Sequence, residues 1–353
     1  MSRSIRILTL FIAALACTVS VRSARASNYG EVEMTREGKA AIEQGLQYLA
    51  NNQRADGSFG GEMGNTTGIV AAGCMAWMVS GNLPGEGPYG KNVAKGIEFI
   101  LSCAQPTGFL FKGAGGSMYH HGLATICLAE AWGQTRDKRI ATVLKKAVDL
   151  IIRSQNNAGG WHYQPGMPSY DLSVVVMQVM ALRAAKDAGI AVPKETIDRA
   201  LALIETLRTP KDGEGLSGFS YQGGGARTWS TTAAGCASLL LCGDYKASTL
   251  KDPLDYLVKA REKKEDTLPQ LSQFFAYGHY YGIVAMYRAG GQGGKFLDYW
   301  KKWYPDISRD MINRQTKTGP GRGQFPLGYG VWSTGMCVLM LGVPYRYLPI
   351  YQR

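Results

Sequence analysis

The chain has 353 residues, 45% hydrophobic and 19% charged, with a formal charge of +12. That balance excludes a disordered chain and supplies ample apolar side chains for a large core. No dense Lys/Arg run with interleaved aromatics points to nucleic acid, so the positive charge reads as a solvated surface.

The first 26 residues account for part of that charge. Arg3 and Arg6 precede an apolar stretch from Ile7 to Val21, and Ala24-Arg25-Ala26 offers a small-x-small cleavage site before Ser27. The pattern predicts a secretory signal peptide over residues 1–26 and an exported, periplasmic or secreted, domain over 27–353. Retention as an N-terminal anchor is the alternative. Removing the segment takes away four Arg and no acid, leaving 35 basic against 27 acidic side chains, a charge of +8. No later apolar run is long and uncharged enough to span a bilayer.

Self-similarity organises the rest of the chain. A turn ending in Gly and an aromatic recurs: Gln53 to Phe59, Gln105 to Phe109, Gln155 to Trp161, Gly218-Phe219, and Gln315 followed by Gly323-Gln324-Phe325. The anchors Phe59, Phe109, Trp161, Phe219 and Phe325 lie 50, 52, 58 and 106 residues apart. The last gap is two units, with Phe275 near its middle as a degenerate fifth anchor.

The segment before each anchor is amphipathic. Ile140, Val143, Leu144, Ala147, Val148, Ile151 and Ile152 form an i, i+3, i+4, i+7 stripe, with Lys145, Lys146 and Asp149 on the other face. The segment after each anchor is apolar nearly all round, as in Ile69 to Val79, Leu172 to Leu182 and Met336 to Leu341. Helices with no polar face are buried on every side. The prediction is an all-α fold, an α/α toroid (α6/α6 barrel) of six helix pairs, inner helices inside and outer helices around them. An open solenoid is the alternative. Closure would bring the inner helices of Cys74 and Cys337 together. The six cysteines of the mature chain show no C-x-x-C pair, and the residues favour buried thiols over disulfides or zinc.

The inner helices of a toroid start at one end. Residues at those starts include Thr66 and Thr67; Tyr119, His120 and His121; Tyr170 and Asp171; Trp229, Ser230 and Thr231; His279, Tyr280 and Tyr281; and Trp332, Ser333 and Thr334. Asp171, His120, His121 and His279 are the catalytic candidates. Tyr119, Tyr170, Trp229, Tyr280 and Trp332 are the candidate ligand-binding aromatics. The structural alternative is capping, since Asp, Ser and Thr are ordinary helix N-caps. No metal site and no cofactor are expected.

The Gln–Gly–aromatic anchors followed by apolar helices resemble the prenyltransferase and squalene oxidase repeat, over residues 39 to 345. That repeat builds terpenoid cyclases and the β subunits of protein prenyltransferases. The resemblance implies the toroid. It implies the chemistry less well. A squalene-type cyclase needs an Asp-rich acid, and the matching stretch Pro168 to Val175 carries Asp171 alone. A prenyltransferase zinc site would need Cys where Ser173 stands, and a His where Trp229-Ser230-Thr231 stands. A glycosidase wants two facing carboxylates. The helix starts offer one, with Asp212-Gly213-Glu214 as a loop that could bring another. The expectation is therefore an exported repeat protein holding an apolar, isoprenoid-like ligand or a protein partner. Its alternative is a divergent enzyme of the cyclase or prenyltransferase type using Asp171, His120, His121 and His279.

Overall fold

A computed structural model describes residues 32, 34–60, 66–111, 117–242, 245–267, 275–328 and 330–352. The expected signal segment lies outside the described residues. Among the described residues twelve α-helices follow one another: α1 (Arg36–Asn52), α2 (Thr67–Met78), α3 (Gly90–Ser102), α4 (Met118–Thr135), α5 (Lys138–Arg153), α6 (Leu172–Asp187), α7 (Lys194–Thr206), α8 (Trp229–Cys242), α9 (Lys251–Glu262), α10 (Phe275–Gly290), α11 (Lys295–Arg314) and α12 (Gly330–Gly342).

Odd-numbered helices are outer and even-numbered ones inner, as the two kinds of apolar pattern require. In α5, Ile140, Leu144, Ala147, Val148 and Ile151 are buried while Lys145, Lys146 and Asp149 face water. In α2 every residue from Thr67 to Met78 is buried. Each inner helix packs on the next, and α12 packs back on α2. The fold is an α/α toroid. Small residues set the closing contact: a Cβ at Gly335 would sit 3.1 Å from the backbone of Ala72, so the two helices approach closely there.

The recurring Gln and Gly explain how one unit docks on the next. Gln53 Nε2 donates to Asn92 O on α3 and to Gly57 O, at 3.0 and 3.2 Å. Gln155 Nε2 does the same to Thr196 O on α7 and to Gly159 O, both at 2.8 Å. The glycines Gly57 and Gly159 have φ of +89° and +91°, where a side chain is strained. A Cβ on either would also strike the carbonyl oxygen of Lys95 or Arg199, at 2.1 and 2.5 Å. The turn is thus a latch between successive outer helices, and its aromatic plugs the core two residues later. Phe59, Trp161 and Phe325 are all buried.

Two anchors differ from expectation. In the second unit the position two residues after the left-handed Gly108 is Leu110, which is buried; Phe109 is half-buried. Phe275 is the first residue of α10 rather than part of a turn.

The centre of the ring is filled by side chains. Tyr119 of α4 meets Tyr277 of α10, ring centroids 6.4 Å apart, so opposite units touch across the axis. At the other end the short turn Pro349–Tyr351 inserts between inner helices. Ile350 N donates to Glu130 Oε1 at 3.2 Å, and Tyr351 is buried with its hydroxyl 3.4 Å from that of Tyr280. Cys74, Cys127, Cys236 and Cys337 are buried free thiols, and Cys242 is half-buried. No helix of the described residues is long and apolar enough to cross a membrane.

Candidate active site at the ring mouth

The inner helices begin where the latch turns end, so their first turns surround one mouth. Asp171 is the N-cap of α6. Its Oδ1 accepts from Ser173 N at 2.9 Å, Val174 N at 3.3 Å and Ser173 Oγ at 2.5 Å. This is the capping role that its residue type predicts. The role does not exhaust the side chain, because Oδ2 accepts a hydrogen bond from the phenol of Tyr221, fifty positions along the chain. Asp171 as a whole is only 4% exposed.

Aromatic rings gather beside it. Tyr119 lies against Tyr277 and against Trp332 of α12, at 6.4 and 6.3 Å between centroids. Tyr277 makes an edge contact with Tyr281 at 4.9 Å. Tyr163 and Tyr221 are 41% exposed each, so open phenols stand at the rim. Burial, and after it the charge of neighbouring tyrosines and Asp171, holds the Tyr119 and Tyr277 phenols well above their ordinary pKa. Tyr163 is raised too, chiefly by burial.

Of the sequence candidates, Tyr119 and Trp332 lie ring to ring, and Tyr170 is half-buried directly before Asp171. The other candidates go elsewhere. His121 is fully buried, accepting from Leu110 N at Nδ1 (3.1 Å) with Nε2 3.2 Å from Ala147 O. It ties a latch turn to α5, and burial pushes its pKa down to about 4. His120 packs on α2, where a Cβ at Gly68 would lie 2.7 Å from its Cδ2. Burial lowers its pKa as well.

His279 is fully buried between Trp229 and Phe275, at 4.4 and 4.1 Å between rings, with Nε2 3.6 Å from Asp266 Oδ2. Trp229 itself stacks on Trp303 at 5.9 Å and is a packing residue. Tyr280 points to the sealed end with Tyr351. His121, His279, Trp229 and Tyr280 are thus core groups rather than site groups, because the helix start they occupy is turned into a neighbouring helix.

Tyr163 and Tyr221 were missed. Both lie in turns with no helical period, and only their exposure beside Asp171 in space marks them. The acids of the loop expected to offer a second carboxylate are both held in ion pairs. Arg227 Nη2 binds Asp212, whose carboxyl is pushed down to about 2, first by Leu216 N and then by Arg227. Glu214 pairs with Lys259 and Lys263 at 3.2 and 3.8 Å. A separate groove of about 730 Å³ runs on the outer face, walled by Arg261, Trp303, Asp310 and Arg314. Among the described residues no group of three His, Cys, Asp or Glu could hold a metal ion.

Comparison with known proteins places the fold. No family model matches the chain, and no curated protein matches it. Solved structures do. An α-1,6-mannanase of Salegentibacter sp. HEL1_6, in an inactive double-aspartate variant bound to α-1,6-mannotetrose, is similar with a TM-score of 0.62 at 10% identity, covering 87% of this chain and 98% of that one. A family 76 glycoside hydrolase (mannosidase) of Bacteroides thetaiotaomicron VPI-5482 gives 0.59 at 12%, covering 88% and 98%. An unsaturated glucuronyl hydrolase of Bacillus sp. GL1, responsible for the degradation of glycosaminoglycan, gives 0.60 at 13%, covering 88% and 98%.

These findings correct the resemblance drawn from the repeat. The structures named above as similar in fold are glycoside hydrolases, not terpenoid cyclases or prenyltransferases. The expected isoprenoid-like ligand, the protein partner and the alternative cyclase or prenyltransferase chemistry fall with it, since the bound molecules in such neighbours are oligosaccharides. The physical reason is plain in the latch: Gln, Gly and aromatic recur because they dock helix pairs, and docking is common to toroids of any chemistry. The chain has the α/α toroid fold that these glycoside hydrolases also have.

Proposed function

We propose that the protein is a carbohydrate-active enzyme of the glycoside hydrolase type, taking an oligosaccharide at the ring mouth with Asp171 as its proton-transfer carboxylate. The observation that carries this reading is the Asp171–Tyr221 contact. A nearly buried carboxylate keeps one oxygen turned to a half-open phenol, amid rings that can stack on sugar faces. Tyr221 orients that oxygen and supplies a hydroxyl beside it. Tyr163, Tyr119 and Trp332 provide the walls. The fold shared with mannanases and a glucuronyl hydrolase supports the class.

The test is turnover. The protein is incubated with α-1,6-mannan, a glycosaminoglycan digest and a panel of oligosaccharides, and released reducing ends are measured. The reading expects release from at least one substrate and a fall of about 10²–10⁴-fold in Asp171→Asn. Release unchanged in that variant, or no saccharide turned over or bound, contradicts it.

A further inference from the structure

The outer helix α9 is docked differently from its neighbours. It packs on α8 with two large buried apolar side chains, Leu254 and Leu257. α5 buries five, Ile140, Leu144, Val148, Leu150 and Ile151, and α7 four, Ile197, Leu201, Leu203 and Ile204. Charges hold α9 on both sides. The latch turn of the preceding unit offers Lys211 to Asp252 at 2.6 Å and Glu214 to Lys259 at 3.2 Å. On the far side α11 pairs Lys295 with Asp255 at 2.9 Å. It also pairs Lys302 with Glu262 at 2.5 Å, across the outer groove of about 730 Å³. All eight of these side chains are exposed or half-buried. The C-terminal end of α9 is held more firmly. Arg261 Nη1 pairs with Asp266 Oδ2 at 3.0 Å, with the guanidinium side chain 11% exposed and the carboxylate 0%. The same Arg261 reaches Asp306 and Asp310 of α11 at 2.8 and 3.2 Å.

Exposed charge pairs contribute little each and are screened by salt, whereas a buried pair is screened much less. At about 1 M salt the screening length falls to about 3 Å, close to these N–O separations. Salt therefore loosens the flanks of α9 and spares its Arg261 end. A helix of twelve residues is marginal in water once it leaves its packing, so an undocked α9 unwinds. Trp303, stacked on Trp229 at 5.9 Å, shares the groove wall with Val258 of α9. We propose that α9 is a salt-responsive flap, which swings off α8 about its Arg261–Asp266 end and opens the outer groove to Trp303. The flap belongs to the ring wall, apart from the mouth, and does not rest on the saccharide reading.

The experiment is amide hydrogen exchange of the whole protein at pH 7, in about 50 mM and in about 1 M NaCl. Amides of Leu254 to Lys259 should exchange at least about tenfold faster at the higher salt, with α5 unchanged as the internal control. Hydroxyl-radical labelling of Trp303 should rise over the same range. Asp255→Asn, which breaks the ion pairs with Lys251 and Lys295, should raise α9 exchange at low salt and flatten its salt response. Equal α9 exchange at the two salt concentrations, or a rise shared by α5 and α7, overturns the proposal. Trp303 staying protected while α9 exchanges overturns it too.

Discussion

Gln315 Nε2 donates to the carbonyl oxygen of Ala41 at 2.8 Å, and so ties the last latch turn to α1. The same side chain holds Gly323 O at 3.1 Å, repeating the pattern of Gln53 and Gln155 across the seam. Ring closure thus uses the contact that joins α1 to α3 and α5 to α7. Gln315→Ala leaves the buried Ala41 carbonyl without this donor and should cost about 1–3 kcal/mol in a denaturant titration. An unchanged midpoint would mean that the seam is held by α12 and α2 alone.

Gly323 carries a second test of the seam. Its φ is +91°, and a Cβ there would lie 2.0 Å from Gln44 O. Gly323→Ala should lose about 1–3 kcal/mol from backbone strain alone, with the clash in addition. Gly213, with open space around it and no left-handed φ recorded, is the control, and its Ala variant should unfold near the wild type.

Tyr221→Phe keeps the ring and removes the hydroxyl bonded to Asp171. A hydrogen bond to a charged group is worth about 1.5–3 kcal/mol, so saccharide turnover should fall by about 10–100-fold. Thermal stability should fall by no more than that bond contributes, because the ring is kept and Tyr221 is 41% exposed. Loss of stability without loss of turnover would make the contact structural.

Glu130 predicts an unusual pH response at the sealed end. Burial pushes its carboxyl up from 4.5 to about 8, against the Ile350 N–H that lowers it. The folded state therefore binds the proton more tightly than the unfolded chain. Its contribution is fully present below pH 4.5 and is lost as pH rises through 8. Glu130→Gln, which stays neutral, should be more stable than the wild type at pH 9 by urea titration, and the gap should close at pH 5. His121 acts in the opposite direction. Burial lowers its pKa from 6.5 to about 4, so its contribution is present above pH 6.5 and is lost as pH falls through 4.

The toroid was legible because it is written in periods. Residues such as Ile140, Leu144 and Ile151 announce an outer helix, and the unbroken apolar run around Cys74 announces an inner one. Asp171 was legible as a helix start, and Tyr119 and Trp332 with it. His121 and His279 occupy similar sequence positions, yet each is turned inward by a neighbour that only the folded chain supplies, Ala147 O for one and Trp229 for the other. Tyr163 and Tyr221 lay beyond reading because turns have no period. The latch pattern misled about kinship for a related reason: it encodes how helix pairs dock, and the chemistry at the mouth is set by side chains outside the pattern.

The most direct test of the account is a crystal structure of the Asp171→Asn variant soaked with an oligosaccharide that the protein binds. The account predicts sugar density at the ring mouth, with one residue against Tyr221 and position 171 and a second against Tyr119 or Trp332. Sugar bound instead in the outer groove between α9 and α11, with the mouth empty, would contradict it.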